Sequence, residues 1–237
     1  PISQAFTFEG RTSQLFQRAL LQMDNQGNVQ PHNLLDNALS SVRHVGGLTL
    51  PSVDAALIES APAAGSSNYL ADMLVFLRAQ VPDTYDGQPV RFLQTFLASV
   101  PVSGQPNPDL QLLLGLEVWG VPTSHPLRDP NNNGFIYQRF QRGVMHYQQT
   151  KQATEGLLTG DWFKQVLTGQ GLPPDLATDI SHSPFAQQYD TAANHGPLRP
   201  LAMPSSNLDG AFQPAASNPR YGVVLAGPGS ADPEYVL

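Results

Sequence analysis

Two short runs of the chain carry amide, guanidinium and aromatic side chains at the same spacing. Residues 138–142 read Gln-Arg-Phe-Gln-Arg, and residues 14–18 read Gln-Leu-Phe-Gln-Arg. If each run is a β-strand, its first, third and fifth side chains share one face. Amides and planar guanidinium groups suit hydroxyl-rich sugars or carboxylates, so this face predicts a ligand site. The alternative interpretation, also open, makes Phe16 and Phe140 core residues and lets Arg18 and Arg142 cap backbone carbonyls or form ion pairs.

Aromatic side chains near the second run extend the same hypothesis. Trp119, Tyr137, Tyr147 and Trp162 could stack on sugar rings, although core packing is the alternative at such spacing. His146 lies on the predicted strand after the run and could join the site or be an ordinary polar strand residue. The predicted ligand-binding residues are Gln14, Arg18, Trp119, Gln138, Arg142, His146 and Tyr147.

Patterns that support catalysis or metal binding are missing from the sequence. There is no cysteine, which excludes disulfides and thiolate metal sites. The six histidines never form His-x-x-x-His, and neither Gly-x-Ser-x-Gly nor a Walker loop occurs. Glu117, close to Trp119, is the carboxylate that could act as a general acid. We therefore predict no catalytic residue, metal or cofactor, with a hydrolase whose site lies between two modules as an alternative.

The amino-acid composition indicates which classes of partner and which cellular location to expect. Charged residues make up only 13% of the chain and the net charge is -7, which argues against nucleic acid. No apolar run approaches the ~20 residues of a membrane helix, so we predict no membrane span. Few Lys and Glu with abundant Gln, Asn, Ser and Pro favour an extracellular or cell-surface protein. The chain starts at Pro1 without Met, which indicates a processed or truncated end, and any targeting segment would lie upstream.

The two runs belong to a longer internal repeat. An offset of 124 residues relates Gly10 to Gly134, Phe16 to Phe140 and Leu34 to Leu158, among other pairs. Upstream, residues 1–3 match residues 122–124 at an offset of 121, and the turn-rich stretch 129–134 holds the extra residues. The repeat predicts two copies of one module.

Each copy is expected to form strand, turn, strand and helix. The spacing of apolar residues predicts helices over 34–42 and 157–167, and further helices between the copies. The fold class is therefore α+β, with two related strand–turn–strand–helix modules around a helical middle and an extended Pro-rich C-terminal arm. The predicted ranges are 1–50 for copy one, 51–115 for the helical middle, 116–180 for copy two and 181–237 for the arm.

The order of motifs around the second copy also carries a resemblance. Residues 116–124 read Leu-Glu-Val-Trp-Gly-Val-Pro-Thr-Ser, and an Asn-rich turn separates them from Tyr-Gln-Arg-Phe-Gln-Arg at 137–142. This order resembles secreted bacterial modules with the pattern G-[LY]-P-[IT]-S, a turn, then V-Q-x-F-[EQ]-R, distant cousins of the LGFP-type cell-wall repeats. The resemblance implies an exported, non-catalytic module on the envelope or beside an enzymatic domain. Copy one lacks the Leu-x-Val-Trp-Gly segment before Pro1, so we expect a longer natural precursor.

The C-terminal arm supplies the functional hypothesis. Seven prolines after His195 favour an extended segment that needs a surface to hold it. Its predicted assembly contacts are Leu201, Phe212, Tyr221 and Tyr235. We expect a non-catalytic, exported structural or interaction protein that is envelope-associated or self-assembles through this arm, as a homo-oligomer or filament. The alternative is a binding module for cell-wall or exopolysaccharide sugars.

Overall fold

The computed structural model describes residues 1–102, 104, 107–189 and 205–212. Sheets and helices are both present, which confirms the α+β fold class. The strands are β1 (Phe6–Phe8), β2 (Arg11–Leu15), β3 (Leu20–Met23), β4 (Val29–His32), β5 (His44–Val45), β6 (Leu48–Thr49), β7 (Leu127–Arg128), β8 (Phe135–Arg139), β9 (Val144–Gln148) and β10 (Ala153–Gly156). The helices are α1 (Ala55–Ser60), α2 (Tyr69–Gln80), α3 (Phe92–Leu97), α4 (Pro108–Trp119), α5 (Thr159–Thr168) and α6 (Pro174–Asp179).

Two four-stranded antiparallel meanders hold most of the strands. Sheet 1 has the order β1-β2-β3-β4 and sheet 2 the order β10-β9-β8-β7. Strand β2 begins at Arg11 and β8 at Phe135, 124 residues later, and the same distance separates the starts of β3 and β9. The starts of β1 and β7 are 121 residues apart. The strands therefore lie where the two sequence offsets place them.

The chain forms two compact units, each of which contains one sheet. Unit 1 consists of Pro1–His32, Leu158–Leu172 and the described residues from Ile180 onward, and unit 2 of Asn33–Leu157 and Pro173–Asp179. Each unit thus combines one sheet with the segment that follows the other sheet. The compact units do not follow the sequence ranges 1–50 and 116–180.

The core of unit 1 lies between sheet 1 and helix α5. Phe8 is fully buried, and its ring lies edge-on to Phe163 of α5 with centroids 5.5 Å apart. The first turn of α5 meets the β2–β3 turn, where the amides of Gly160 and Asp161 donate to the Gln17 carbonyl at 2.9 and 3.1 Å. A Cβ at position 160 would lie 1.8 Å from the Phe16 carbonyl oxygen, so only glycine permits this approach.

The core of unit 2 lies between sheet 2 and helices α1–α4. Phe96 of α3 packs on Phe140 with ring centroids 5.7 Å apart, and both residues are fully buried. The other buried side chains of this cluster come from α1–α4, the α2–α3 segment and sheet 2: Leu57, Met73, Phe76, Leu77, Val81, Val90, Phe92, Leu112, Ile136, Met145 and Tyr147. A helical layer therefore covers one face of sheet 2.

The helix expected over residues 34–42 is not formed. This segment is a series of turns, in which Asp36 donates to the Asn33 carbonyl and Leu39 to the Leu34 carbonyl. Asn, Asp and Ser at 33, 36, 37, 40 and 41 favour turns over helix interiors. The Leu35 carbonyl, which a helix would pair with an amide, accepts from Arg139 instead.

The helical middle is longer than expected and takes over a stretch assigned to copy two. Helix α4 continues through Trp119, although residues 116–119 were assigned to copy two and not to the helical middle. Its start matches the expectation, because Asn107 caps the amide of Asp109 and Pro108 occupies the first turn. Among the described residues, no helix is both long enough and apolar enough to cross a bilayer.

Part of the predicted arm packs on its own chain. Asn207 and Thr7 exchange two backbone hydrogen bonds at 2.8 and 3.0 Å, which adds a β-bridge to the edge strand β1. Leu208 and Phe212 are buried, and the Phe212 ring lies edge-on to Tyr189 at 5.0 Å. Of the other predicted assembly contacts, Leu201, Tyr221 and Tyr235 lie outside the described residues.

Candidate functional site

The glutamines that open the repeated motif make the same bond in both sheets. Gln138 donates through Nε2 to the Ser124 carbonyl at 3.2 Å, and Gln14 donates to the Ser3 carbonyl at the same distance. Gln138 is fully buried and donates a second time, to the Gln80 carbonyl at 2.6 Å. These amides hold the strand to the segment that enters the sheet, so in this structure they act on the protein's own backbone.

The serines that receive these bonds also occupy equivalent positions. The Ser3 hydroxyl accepts from the Leu15 amide at 2.8 Å, and the Ser124 hydroxyl accepts from the Arg139 amide at 3.0 Å. Ile2 donates to the Leu15 carbonyl and Thr123 to the Arg139 carbonyl, both at 2.8 Å. The Pro-x-Ser sequences at residues 1–3 and 122–124 therefore make the same hydrogen bonds to strands β2 and β8, respectively.

Arg142 caps a helix. Its Nη1 donates to the carbonyls of Leu116 and Glu117, at 2.9 and 2.7 Å, in the last turn of α4. A cation at this end also complements the helix dipole. Burial lowers the pKa of Arg142, and Glu117 opposes that shift. This is the carbonyl-capping role of the alternative interpretation.

Arg18, its counterpart in the first copy, is exposed, and its carbonyl accepts from the Thr159 hydroxyl at 2.8 Å.

Trp119 is packed against the motif rather than presented as a platform. Its ring contacts Phe140 with centroids 5.7 Å apart, and its Nε1 donates to the Ser99 hydroxyl at 2.6 Å. A Cβ at Gly143 would lie 2.9 Å from the indole, and one at Gly156 only 2.6 Å from it. The two glycines make room for the ring, which the sequence spacing alone did not reveal.

Tyr147 and His146, the last two predicted ligand residues, are buried or nearly so. Tyr147 is fully buried, and its hydroxyl has no hydrogen-bond partner among the described residues. The ring of His146 packs on Phe135 and Tyr137, and its Nε2 lies 4.0 Å from a Glu155 carboxylate oxygen. The pKa of His146 is lowered, mainly because the side chain is buried, and the nearby Glu155 carboxylate opposes that shift. Neither side chain is placed to stack on an external sugar.

A buried polar cluster that the sequence analysis missed lies on the face of sheet 2 opposite to the one that α1–α4 cover. The Asp129 carboxylate accepts from the Tyr137 hydroxyl at 2.5 Å and from the amides of Thr49 and Asn131 at 3.0 and 2.8 Å. Burial by itself raises the pKa of Asp129, but these hydrogen bonds outweigh it and the net shift is downward. Burial and the carboxylate both raise the pKa of Tyr137.

Arg139, also missed, anchors the segment of turns to the same face of sheet 2. It is 2% exposed and donates through Nη2 to the Leu35 carbonyl at 2.9 Å and to the Asp36 carboxylate at 3.1 Å. Burial lowers its pKa, and the contact with Asp36 opposes the shift. The equivalent position in sheet 1 is Leu15, so the repeat itself gave no signal for this ion pair.

A groove beside the cap brings together two of the residues considered for chemistry. It has a volume of about 410 Å³. Its polar lining includes Glu117, Gln141, Arg142 and Tyr69, and Ile58 and other apolar side chains complete it. Glu117 is exposed and stands without a second carboxylate in this lining, so paired acid–base hydrolysis has no geometry here.

No family model, curated protein or solved structure matches the chain. Within the described ranges, no group of three or more His, Asp or Glu side chains could hold a metal ion.

Proposed function

We propose that this chain is a non-catalytic interaction protein built from two related β-sheet modules. The observation that carries the proposal is the use of the motif side chains: Gln14, Gln138 and Arg142 bond to the protein's own main chain. Hydrogen bonds of this kind stabilise the fold, so they give these side chains a structural role. The matching bonds at Ser3 and Ser124 support the relation between the modules.

The C-terminal segment is the part of the chain through which we propose self-assembly. Residues 205–212 add main-chain bonds to the edge of sheet 1, the mode by which extended segments augment exposed strands. The same strand-addition chemistry between copies would give a homo-oligomer or a filament. Export to the cell surface and attachment to the envelope are part of this proposal and agree with the Gln- and Asn-rich composition.

The test is the sedimentation velocity of the full chain against a deletion of residues 213–237. The deletion stops there because Leu208 and Phe212 are core residues of unit 1, and removing them would destabilise that unit as well. We expect the full chain to sediment as an assembly and the deletion variant as a folded monomer, with circular dichroism unchanged apart from the lost residues. Identical sedimentation of the two proteins would refute assembly through the arm.

A second candidate function is the binding of cell-wall or exopolysaccharide sugars in the groove beside Arg142. A tyrosine ring, an amide and charged groups around an apolar floor suit a sugar ring with its hydroxyls. Glu117→Gln changes an exposed lining group and leaves the cap bonds from Arg142 to the main chain in place. Weaker retention of this variant on insoluble peptidoglycan would support the site, with Glu59→Gln, exposed on α1, as the control. Equal retention of all three proteins would exclude it.

A further inference from the structure

One face of sheet 1 is apolar and open. Alternation along the strands places eight side chains on it, here called the outer face of sheet 1: Thr7, Thr12, Gln14, Phe16, Leu21, Met23, Val29 and Pro31. Met23 is 41% exposed and Val29 63%, although both are apolar. The face holds a depression of about 190 Å³, and the described residues that line it all lie between Ala5 and Val29. None of these eight side chains carries a charge.

The equivalent face of sheet 2 is covered. Strand pairing matches Thr12 and Met23 of sheet 1 with Ile136 and Tyr147 of sheet 2, which pair in the same way. Ile136, Tyr147 and Phe140, the counterpart of Phe16, are at most 1% exposed because α1–α4 pack on them. The same kind of sheet face is thus a core surface in unit 2, whereas in unit 1 none of the described helices covers it.

The glutamine on each sheet face indicates which kind of element can pack on that face. Gln80 is the last residue of α2, so its carbonyl is one of those that a helix leaves without an internal partner. Gln138 supplies that partner at 2.6 Å, and the sheet face thereby caps the C-terminus of the helix that lies on it. Gln14 keeps the bond to Ser3 that matches the Gln138 bond to Ser124. Its amide has a second hydrogen for a helix end above the open face.

We propose that the outer face of sheet 1 binds an amphipathic α-helix of a partner polypeptide, with the helix C-terminus over Gln14. The helix would present an apolar face of the α2 type, where Met73, Phe76 and Leu77 are buried. This inference rests on the interaction role proposed above, but the surface is formed by residues of sheet 1, whereas the assembly test deletes residues 213–237. Failure of one test therefore leaves the other informative.

The partner differs from α1–α4 in one respect. Where sheet 2 has Gly143 and Gly156, which leave room for Trp119, sheet 1 has Ala19 and Pro31. A Cβ at those glycines would meet the indole at 2.9 and 2.6 Å. The partner helix is therefore expected to place a side chain smaller than tryptophan near Phe16.

The methyl groups of methionine give a direct test. The chain has four methionines, and Met23 lies on the open face whereas Met73 and Met145 are buried in unit 2. The probe is a synthetic peptide of residues 68–82 of this chain, cross-linked between positions 71 and 75, which are exposed in α2. The cross-link keeps it helical, because an isolated helix of this length is marginal. We expect the carbon-13 methyl resonance of Met23 to shift saturably with peptide, and those of Met73 and Met145 to stay in place.

Matched variants define the surface. Leu21→Lys places a charge in the centre of the face and is expected to weaken binding about tenfold or more, because the helix would bury that charge without a partner. Asn25→Lys adds the same charge in the exposed β3–β4 turn and should bind like the wild type. A peptide with Leu77→Lys should leave Met23 unshifted.

Three results would overturn the proposal. The first is a Met23 resonance that does not respond to the helical peptide. The second is a dimer in sedimentation that Leu21→Lys dissociates, which would assign the face to a second copy of the chain. The third is a shift of Met23 when residues 213–237 are deleted, which would assign it to the chain's own C-terminal segment.

Discussion

The contact between Tyr137 and Asp129 gives the sharpest test of how unit 2 is held together. Both residues are fully buried, and the Tyr137 hydroxyl donates to the carboxylate at 2.5 Å. The change to make is Tyr137→Phe, which removes the hydroxyl and keeps the ring. The ring contacts with Phe135 and His146 remain available to phenylalanine.

The expected loss follows from the charge of the acceptor. A hydrogen bond to an ionised group contributes about 1.5–3 kcal/mol to stability, more than a neutral pair. Asp129 would keep the amides of Thr49 and Asn131, so its charge does not lose all its partners. We therefore expect the free energy of unfolding of unit 2 to fall by about 1.5–3 kcal/mol at pH 7.

The loss should depend on pH with a defined sign. The pKa of Asp129 is lowered in the folded state from the value of 3.8 for an unperturbed aspartate. Stability from such a group is present above pH 3.8 and is lost as the pH falls through the folded-state pKa. With Tyr137 replaced, burial is opposed by fewer hydrogen bonds and the pKa of Asp129 rises. The difference between variant and wild type should therefore shrink as the pH is lowered from about 7 towards 3.

Tyr147→Phe is the matched control. Tyr147 is buried in the neighbouring strand, but its hydroxyl has no partner among the described residues, so its removal should be neutral or slightly stabilising. The assay is urea unfolding followed by tryptophan fluorescence, with both variants and the wild type at several pH values. Equal effects of the two substitutions at pH 7, or an effect of Tyr137→Phe that grows on acidification, would refute the reasoning.

Three further predictions concern other parts of the fold. Gly143→Ala puts a Cβ 2.9 Å from the Trp119 ring and should lower the stability of unit 2 by about 1–3 kcal/mol in urea unfolding, whereas Gly134→Ala, whose nearest neighbour would be 3.8 Å away, should cost much less. Phe212→Ala removes a buried ring that contacts Phe6 and Tyr189 and should destabilise unit 1 by about 3–5 kcal/mol in calorimetry; an unchanged melting temperature would show that residues 205–212 do not belong to its core. Because burial lowers the pKa of His146 from 6.5, its contribution to stability is present above pH 6.5 and is lost as the pH falls through the folded-state pKa. His146→Gln should flatten that part of the pH profile of unfolding, and an unchanged profile would show that His146 does not contribute to it.

The sequence analysis expected two strands in each copy, whereas each of the two meanders has four. Offsets of 124 and 121 residues located the strands of sheet 2 from those of sheet 1, because a strand's position depends on local alternation and on turn residues such as Asp24. The repeat offsets cannot distinguish a turn from a helix, because the amino-acid composition of the segment decides between the two. Residues 34–42 have helical apolar spacing but form turns, since their Asn, Asp and Ser side chains favour turns and Arg139 takes the Leu35 carbonyl.

The roles of the motif residues depended on partners that spacing does not reveal. Gln138 bonds to Gln80, and Arg142 bonds to the end of a helix that the sequence analysis had expected to stop before residue 116. Once α4 continues to Trp119, its last carbonyls need donors, and Arg142 supplies them. The boundary of one helix thus changed the interpretation of the arginine from ligand contact to cap.

Each compact unit builds its core from residues of both sequence ranges, 1–50 and 116–180. Phe8 of the first copy packs on Phe163 of the second, and Arg139 of the second copy bonds to Leu35 of the first. Each sheet therefore has one face that is closed by the segment following the other sheet. Its second face needs a separate cover, which sheet 2 receives from α1–α4 within its own unit. Sheet 1 retains the same face, with the same glutamine and phenylalanine at the matching positions. The exposed Met23 and Val29 on this face are the reason why we propose it as a binding surface, since sheet 2 buries the matching residues in a packed core.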